Sequence, residues 1–116
     1  MAQKRILFTI NQAPFGSIHY SEGLRAVVGA TSGIDEHKVD VVYLGDGVYF
    51  ALKKADRRDS AKYIETLAQS GCRLKAERES LEARHIAREE LASDIEVISR
   101  DAVRELVAQA DFTAAF

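Results

Sequence analysis

Apolar positions along the chain fall into alternating blocks, with short β-rich runs separated by longer stretches of helical spacing. Arg5 to Ile10 (Arg-Ile-Leu-Phe-Thr-Ile) is mostly apolar, and Asn11-Gln12-Ala13-Pro14-Phe15-Gly16 closes it with the Pro and Gly of a loop. This predicts a buried strand. From about Ser17 to Ala30, Ile18, Leu24, Val27 and Val28 stand at spacings that fit one helical face, and Thr31-Ser32-Gly33 ends the segment. Val39 to Leu44 predicts a second strand, Gly45-Asp46-Gly47 the turn after it, and Val48 to Leu52 a short helix lying on the sheet. Lys53 to Ser60 holds six charged residues out of eight, so it reads as a solvated connection rather than an interaction patch.

In the second half, Ala61, Ile64, Leu67 and Ala68 describe an amphipathic helix that stops at Gly71, where a left-handed C-terminal residue costs least. Cys72 to about Ala76 predicts the third strand. Its alternation, Cys72, Leu74 and Ala76 against Arg73 and Lys75, implies that only one face is fully covered. Arg78 to Arg84 predicts a short helix, which Ala87 to Ala92 extends or repeats. Ile95 to Ser99 is the fourth strand. Val103, Leu106, Val107 and Ala110 mark a last helix capped by Ser99 or Asp101, and Asp111 to Phe116 predicts a fifth strand.

Strands alternating with helices in this way imply an α/β fold, a three-layer α/β/α sandwich with a mainly parallel five-stranded sheet. Ligands in such folds collect beyond the carboxyl ends of the strands. That rule selects three loops, Asn11 to Ser17, Gly45 to Tyr49 and Glu77 to Ser80. The candidate crevice residues on and beside them are Asn11, Pro14, Phe15, Tyr20, Asp46, Glu77 and Ser80.

The length of 116 residues, 47% apolar content and a net charge of −2 lead us to expect one compact domain over residues 1–116. No run of 18 apolar residues is available to cross a bilayer, so the expectation is a cytoplasmic protein without a membrane partner. A single cysteine leaves no internal disulfide and no Cys-rich zinc site, in keeping with a reducing compartment. Acids and bases are interleaved, which argues against a nucleic-acid partner. His19, His37 and His85 show no metal-site spacing, so they are expected at the surface and no metal or other cofactor is expected. Gly45-Asp46-Gly47 lacks both the dinucleotide and the P-loop spacing, and Asp46 is expected to bond locally within a backbone turn. Glu77 and Glu79, two apart on a helix, do not face each other, which favours helix-end stabilisation over an acid/base pair. Cys72 opens its strand, roughly 13 to 17 Å from the carboxyl-end crevice at about 3.3 Å per residue. It is expected to be an inert, partly buried thiol.

Three pieces of the chain resemble the DsrE/DsrF/TusBCD sulfur-relay superfamily, and its TusC/DsrF branch in particular. Ala13-Pro14-Phe15-Gly16-Ser17 followed by Glu22-Gly23-Leu24 resembles that branch's first loop and helix. Asp46-Gly47-Val48 resembles its Asp-Gly-Val turn, and Ser80-Leu81 with Arg84 its Ser-Leu-x-x-Arg helix. The Gly usual after that Arg is His85 here. The resemblance implies an α/β fold assembled into trimers or hexamers of the same or related subunits, with sulfur passed on as a cysteine persulfide. It also places Glu77 where carrier subunits have their cysteine. A helix N-terminus there would favour a thiolate; a carboxylate suits the same position but cannot hold a sulfane sulfur.

The expected function is therefore a non-carrier, structural or regulatory subunit of a sulfur-relay assembly. It would have no catalytic residue of its own and would pack on siblings and possible sulfur-carrier partners through its helix faces and Phe15, Tyr20, Tyr49 and Phe50. Two alternatives stand beside it: a sulfurtransferase acting through Cys72, and a homo-oligomeric module binding a small ligand in the Glu77 crevice.

Overall fold

The computed structural model describes residues 4–11, 25, 38–53, 64–65 and 74–116. Of the two helices expected over 17–30 and 60–70, only Arg25, Ile64 and Glu65 belong to this set, and all three are helical. Five strands, β1 (Arg5–Ile10), β2 (Lys38–Tyr43), β3 (Leu74–Glu77), β4 (Ile95–Ile98) and β5 (Phe112–Ala115), form one sheet in the order β4-β3-β2-β1-β5. Every pairing is parallel. Two α-helices are described, α1 (Arg78–Ala83) and α2 (Arg100–Gln109), with 3-10 segments at Gly45–Ala51 and Arg88–Glu90.

Period-two alternation distributes the strands' side chains between two cores. Phe8, Ile10, Val39, Val41, Tyr43, Leu74 and Ala76 share one face with Val48, Phe50 and Leu81, and Ile64 and Ile86 pack against this cluster. Leu7 and Val42 point the other way and meet Val103 of α2, with Ile98, Leu106 and Ala110 around them. A parallel sheet is normally covered on both faces, and this one is. Leu7, Ile10, Val41, Val42 and Val48 are almost wholly buried. Each contributes about 1.5 to 3 kcal/mol of transfer free energy, which makes β1 and β2 the anchor of the fold.

Several local expectations are corrected. The Gly45-Asp46-Gly47 turn and the short helix expected after it are one continuous 3-10 segment. Gly45 has φ +53°, and a Cβ on Gly47 would lie 1.9 Å from the Ile10 carbonyl oxygen, so the segment lies flat against the end of β1. Phe50, expected at a subunit surface, is buried and stacks on Tyr43 with ring centroids 6.4 Å apart. In β3 the polar alternates are covered too: Lys75 pairs with Asp40 at 3.0 Å, and Glu77 is buried. β3 runs on to Glu77 rather than ending at Ala76, and Cys72 lies outside the described residues.

Helix α1 is not extended through Ala87 to Ala92. The His85 N–H donates to the Glu82 carbonyl and the Ile86 N–H to the Leu81 carbonyl, with His85 at φ +55°. This is a Schellman stop, in which the residue after the cap is left-handed and an apolar residue beyond it packs back. Of the two candidate caps for α2, the structure uses Ser99, whose Oγ accepts the Ala102 N–H at 3.1 Å. Val107, expected on the buried stripe, is 49% exposed. It lies about 40° past Val103 around the helix, on the side away from Leu106 and Ala110.

Candidate functional site

Four chain segments meet at the carboxyl edge of the sheet: Asn11 after β1, Leu44 to Asp46 after β2, Glu77 at the end of β3 and Ser99-Arg100 after β4. Register places Glu77 beside Ile98, and alternation puts its side chain on the face that α2 covers. The start of α2 therefore arrives next to the Glu77 carboxylate. Arg100 Nη2 donates to Oε1 at 3.2 Å and Nε to Oε2 at 3.4 Å. From the other side the Ser80 hydroxyl, one helical turn along, donates to Oε1 at 2.6 Å.

Each of these groups is held by a second contact. The Gly45 N–H donates to Ser80 Oγ at 3.0 Å, which occupies a lone pair and directs the hydroxyl proton to Glu77. The backbone N–H of Arg100 donates to both carboxylate oxygens of Glu79 at 3.0 Å. Arg84, at the end of α1, reaches back to Asp46 Oδ1 with Nη2 at 2.9 Å and Nε at 3.2 Å, and its Nη1 donates to the Ser80 carbonyl at 3.1 Å. A chain of polar contacts thus ties the loop after β2 to α1, and α1 to α2.

Glu77 and Ser80 are buried, at 6% and 5% exposure, whereas the Arg100 side chain is half exposed. A carboxylate that deep requires a partner, and the guanidinium with the hydroxyl supplies it. The bond from the Arg100 N–H is the main cause that holds the Glu79 carboxyl below the usual range, with the Arg78 and Arg100 charges adding to it against a desolvation penalty. The hydrogen bonds that Arg100 donates to Glu77, followed by the charge of that carboxylate, raise the Arg100 pKa further.

Of the residues expected in the crevice, Asp46, Glu77 and Ser80 are joined in this network. Asn11 stands at its margin: its carbonyl lies 4.0 Å from where a Cβ on Gly45 would be, while its side-chain amide donates to Thr9 Oγ1 at 3.1 Å. Pro14, Phe15, Tyr20 and Cys72 lie outside the described residues. Asp46 bonds to Arg84, 38 positions away, rather than locally. The carboxylates of Asp46 and Glu77 each face an arginine, so neither is an uncompensated negative charge. Glu79 stabilises a helix end as expected, and besides the start of its own helix it holds that of α2. The sequence reading missed Arg100 as a site residue; the carboxyl-end rule applied to the fourth strand as well would have selected it.

As chemistry, the arrangement is a satisfied ion pair. Both Glu77 oxygens already accept bonds, and among the described residues no thiol stands at the junction of β3 and α1.

The fold defines an α/β protein of a kind already seen among solved structures. The ychN protein from E. coli superposes with a TM-score of 0.83 at 19% identity, covering 99% of this chain and 100% of that one. MTH1491 from Methanobacterium thermoautotrophicum does so with a TM-score of 0.79 at 16% identity, covering 98% and 100%. The chain belongs to the DsrE/DsrF-like family, whose family model matches residues 4–113. A stretch of 52 residues is 36% identical to the Protein TusC homolog of Pasteurella multocida (strain Pm70) and covers 45% of this chain and 44% of that protein. The match thus spans less than half the length of that curated relative. Among the described residues no helix is long and apolar enough to cross a membrane.

Proposed function

We propose that this chain is a non-carrier subunit, structural or regulatory, of an intracellular sulfur-relay assembly, acting beside related subunits that hold the transferable sulfur. One observation carries the reading. The junction of β3 and α1, where carriers resembling this chain have a cysteine, is filled by the buried Glu77 carboxylate bonded to Ser80 and Arg100. A carboxylate has no sulfane-binding atom, and here its oxygens are already engaged. Cys72 precedes the first residue of β3 in the chain, while the junction follows its last, which favours the non-carrier reading over a sulfurtransferase using that thiol. The TusC-like stretch supports the same branch of the family.

The same reading gives the chain trimeric or hexameric company, of its own kind or of relatives. Size-exclusion chromatography with light scattering tests this: a trimer or hexamer is expected at micromolar concentration, alone or after co-expression with a carrier-type relative. A clean monomer under both conditions contradicts it.

A further inference from the structure

The donors around Glu77 form an anion site that the chain occupies with its own side chain. Three side-chain donors converge on the buried carboxylate, two from Arg100 and one from Ser80. Ser80 and the backbone of Arg100 are held by contacts that do not involve Glu77. The Ser80 hydroxyl is aimed by the Gly45 N–H, and the Ser80 carbonyl is held by Arg84. The backbone at Arg100 is pinned by Glu79, independently of the guanidinium contact. A guanidinium edge and an oriented hydroxyl facing a buried spot match a small monoanion of carboxylate size.

We propose that Glu77 is the built-in occupant of a monoanion-binding pocket made by Arg100 and Ser80, and that its carboxylate keeps the crevice closed to small free anions. Removing the side chain to Cβ opens a carboxylate-sized space faced by the Ser80 hydroxyl and within reach of the Arg100 guanidinium. Formate and acetate are the ligands it then takes. This goes beyond the subunit reading and does not rest on it, so its failure would leave that reading standing.

The experiment is thermal unfolding of the full-length parent, Glu77→Ala and Glu77→Gln in rising acetate or formate, with ionic strength fixed by chloride. Glu77→Ala should gain stability saturably, with a rise in Tm of about 5 °C when the anion reaches ten times its Kd. The parent and Glu77→Gln, whose pockets stay filled, should show no saturable response. Adding Arg100→Met to Glu77→Ala should abolish the gain. Should Glu77→Ala fail to fold in chloride, recovery of folded protein on refolding must become acetate-dependent. An acetate response in Glu77→Ala no larger than the parent's, a gain that survives Arg100→Met, or refolding indifferent to acetate overturns the proposal.

Discussion

Ser80 is the residue on which the carboxyl edge turns. Its single oxygen accepts the Gly45 N–H and donates to Glu77, so it joins the loop after β2 to the end of β3 within one buried side chain. Replacing it by alanine leaves a backbone donor and a charged acceptor short of a partner. An unsatisfied buried group costs about 1 to 3 kcal/mol. Ser80→Ala should therefore lose about 2 kcal/mol in urea unfolding; a loss under half of that would show that the hydroxyl is not the joint described here. Period-two alternation made the burial of Leu74 and Ala76 legible, but it carries no information about what meets a polar alternate. Glu77 could be read from the chain as a residue at a strand-helix junction. Arg100 was legible only as a residue beyond the fourth strand; its pairing with Glu77 was not, because 23 positions and a whole strand separate them.

At the scale of elements, the ends of the two helices hold the testable energetics. The stop of α1 requires a left-handed residue, and His85 adopts φ +55° to supply it. Glycine bears no such steric cost there, which offsets its greater freedom in the unfolded chain. His85→Gly should raise stability by about 0.5 to 1 kcal/mol in chemical unfolding, and a decrease would contradict the Schellman geometry. The start of α2 is tied by Glu79, whose carboxyl is held below its ordinary value mainly by the Arg100 N–H. The unfolded-state value is about 4.3. A depressed folded value means that the contribution is fully present above the unfolded pKa and is lost as pH falls through the folded one. Glu79→Gln should thus be less stable than the parent at neutral pH, with the gap closing once pH drops below the carboxylate range. A gap independent of pH would place its origin elsewhere.

The strands, their parallel arrangement and the amphipathic α2 were readable because each rests on periodicity sustained over several residues. The segment after β2 was not, since Val48 to Leu52 is too short to separate a 3-10 turn from an α-helix. Asp46 was misread for a related reason: local turn chemistry is a good rule for an Asp between glycines, and only the folded return of α1 brings Arg84 to it.

For the molecule as a whole, both faces of the sheet are covered, and among the described residues two arginine-carboxylate pairs stand at the carboxyl edge. Val107 and Phe112 remain exposed at 49% and 63%. On the function proposed above, the transferable sulfur belongs to another subunit. The most direct measurement is intact-protein mass spectrometry of the full chain after exposure to a persulfide donor and removal of excess reagent. The account predicts no stable gain of about 32 Da, the mass of one added sulfur atom, on this chain. A durable adduct on Cys72 that then passes to an acceptor thiol would contradict it.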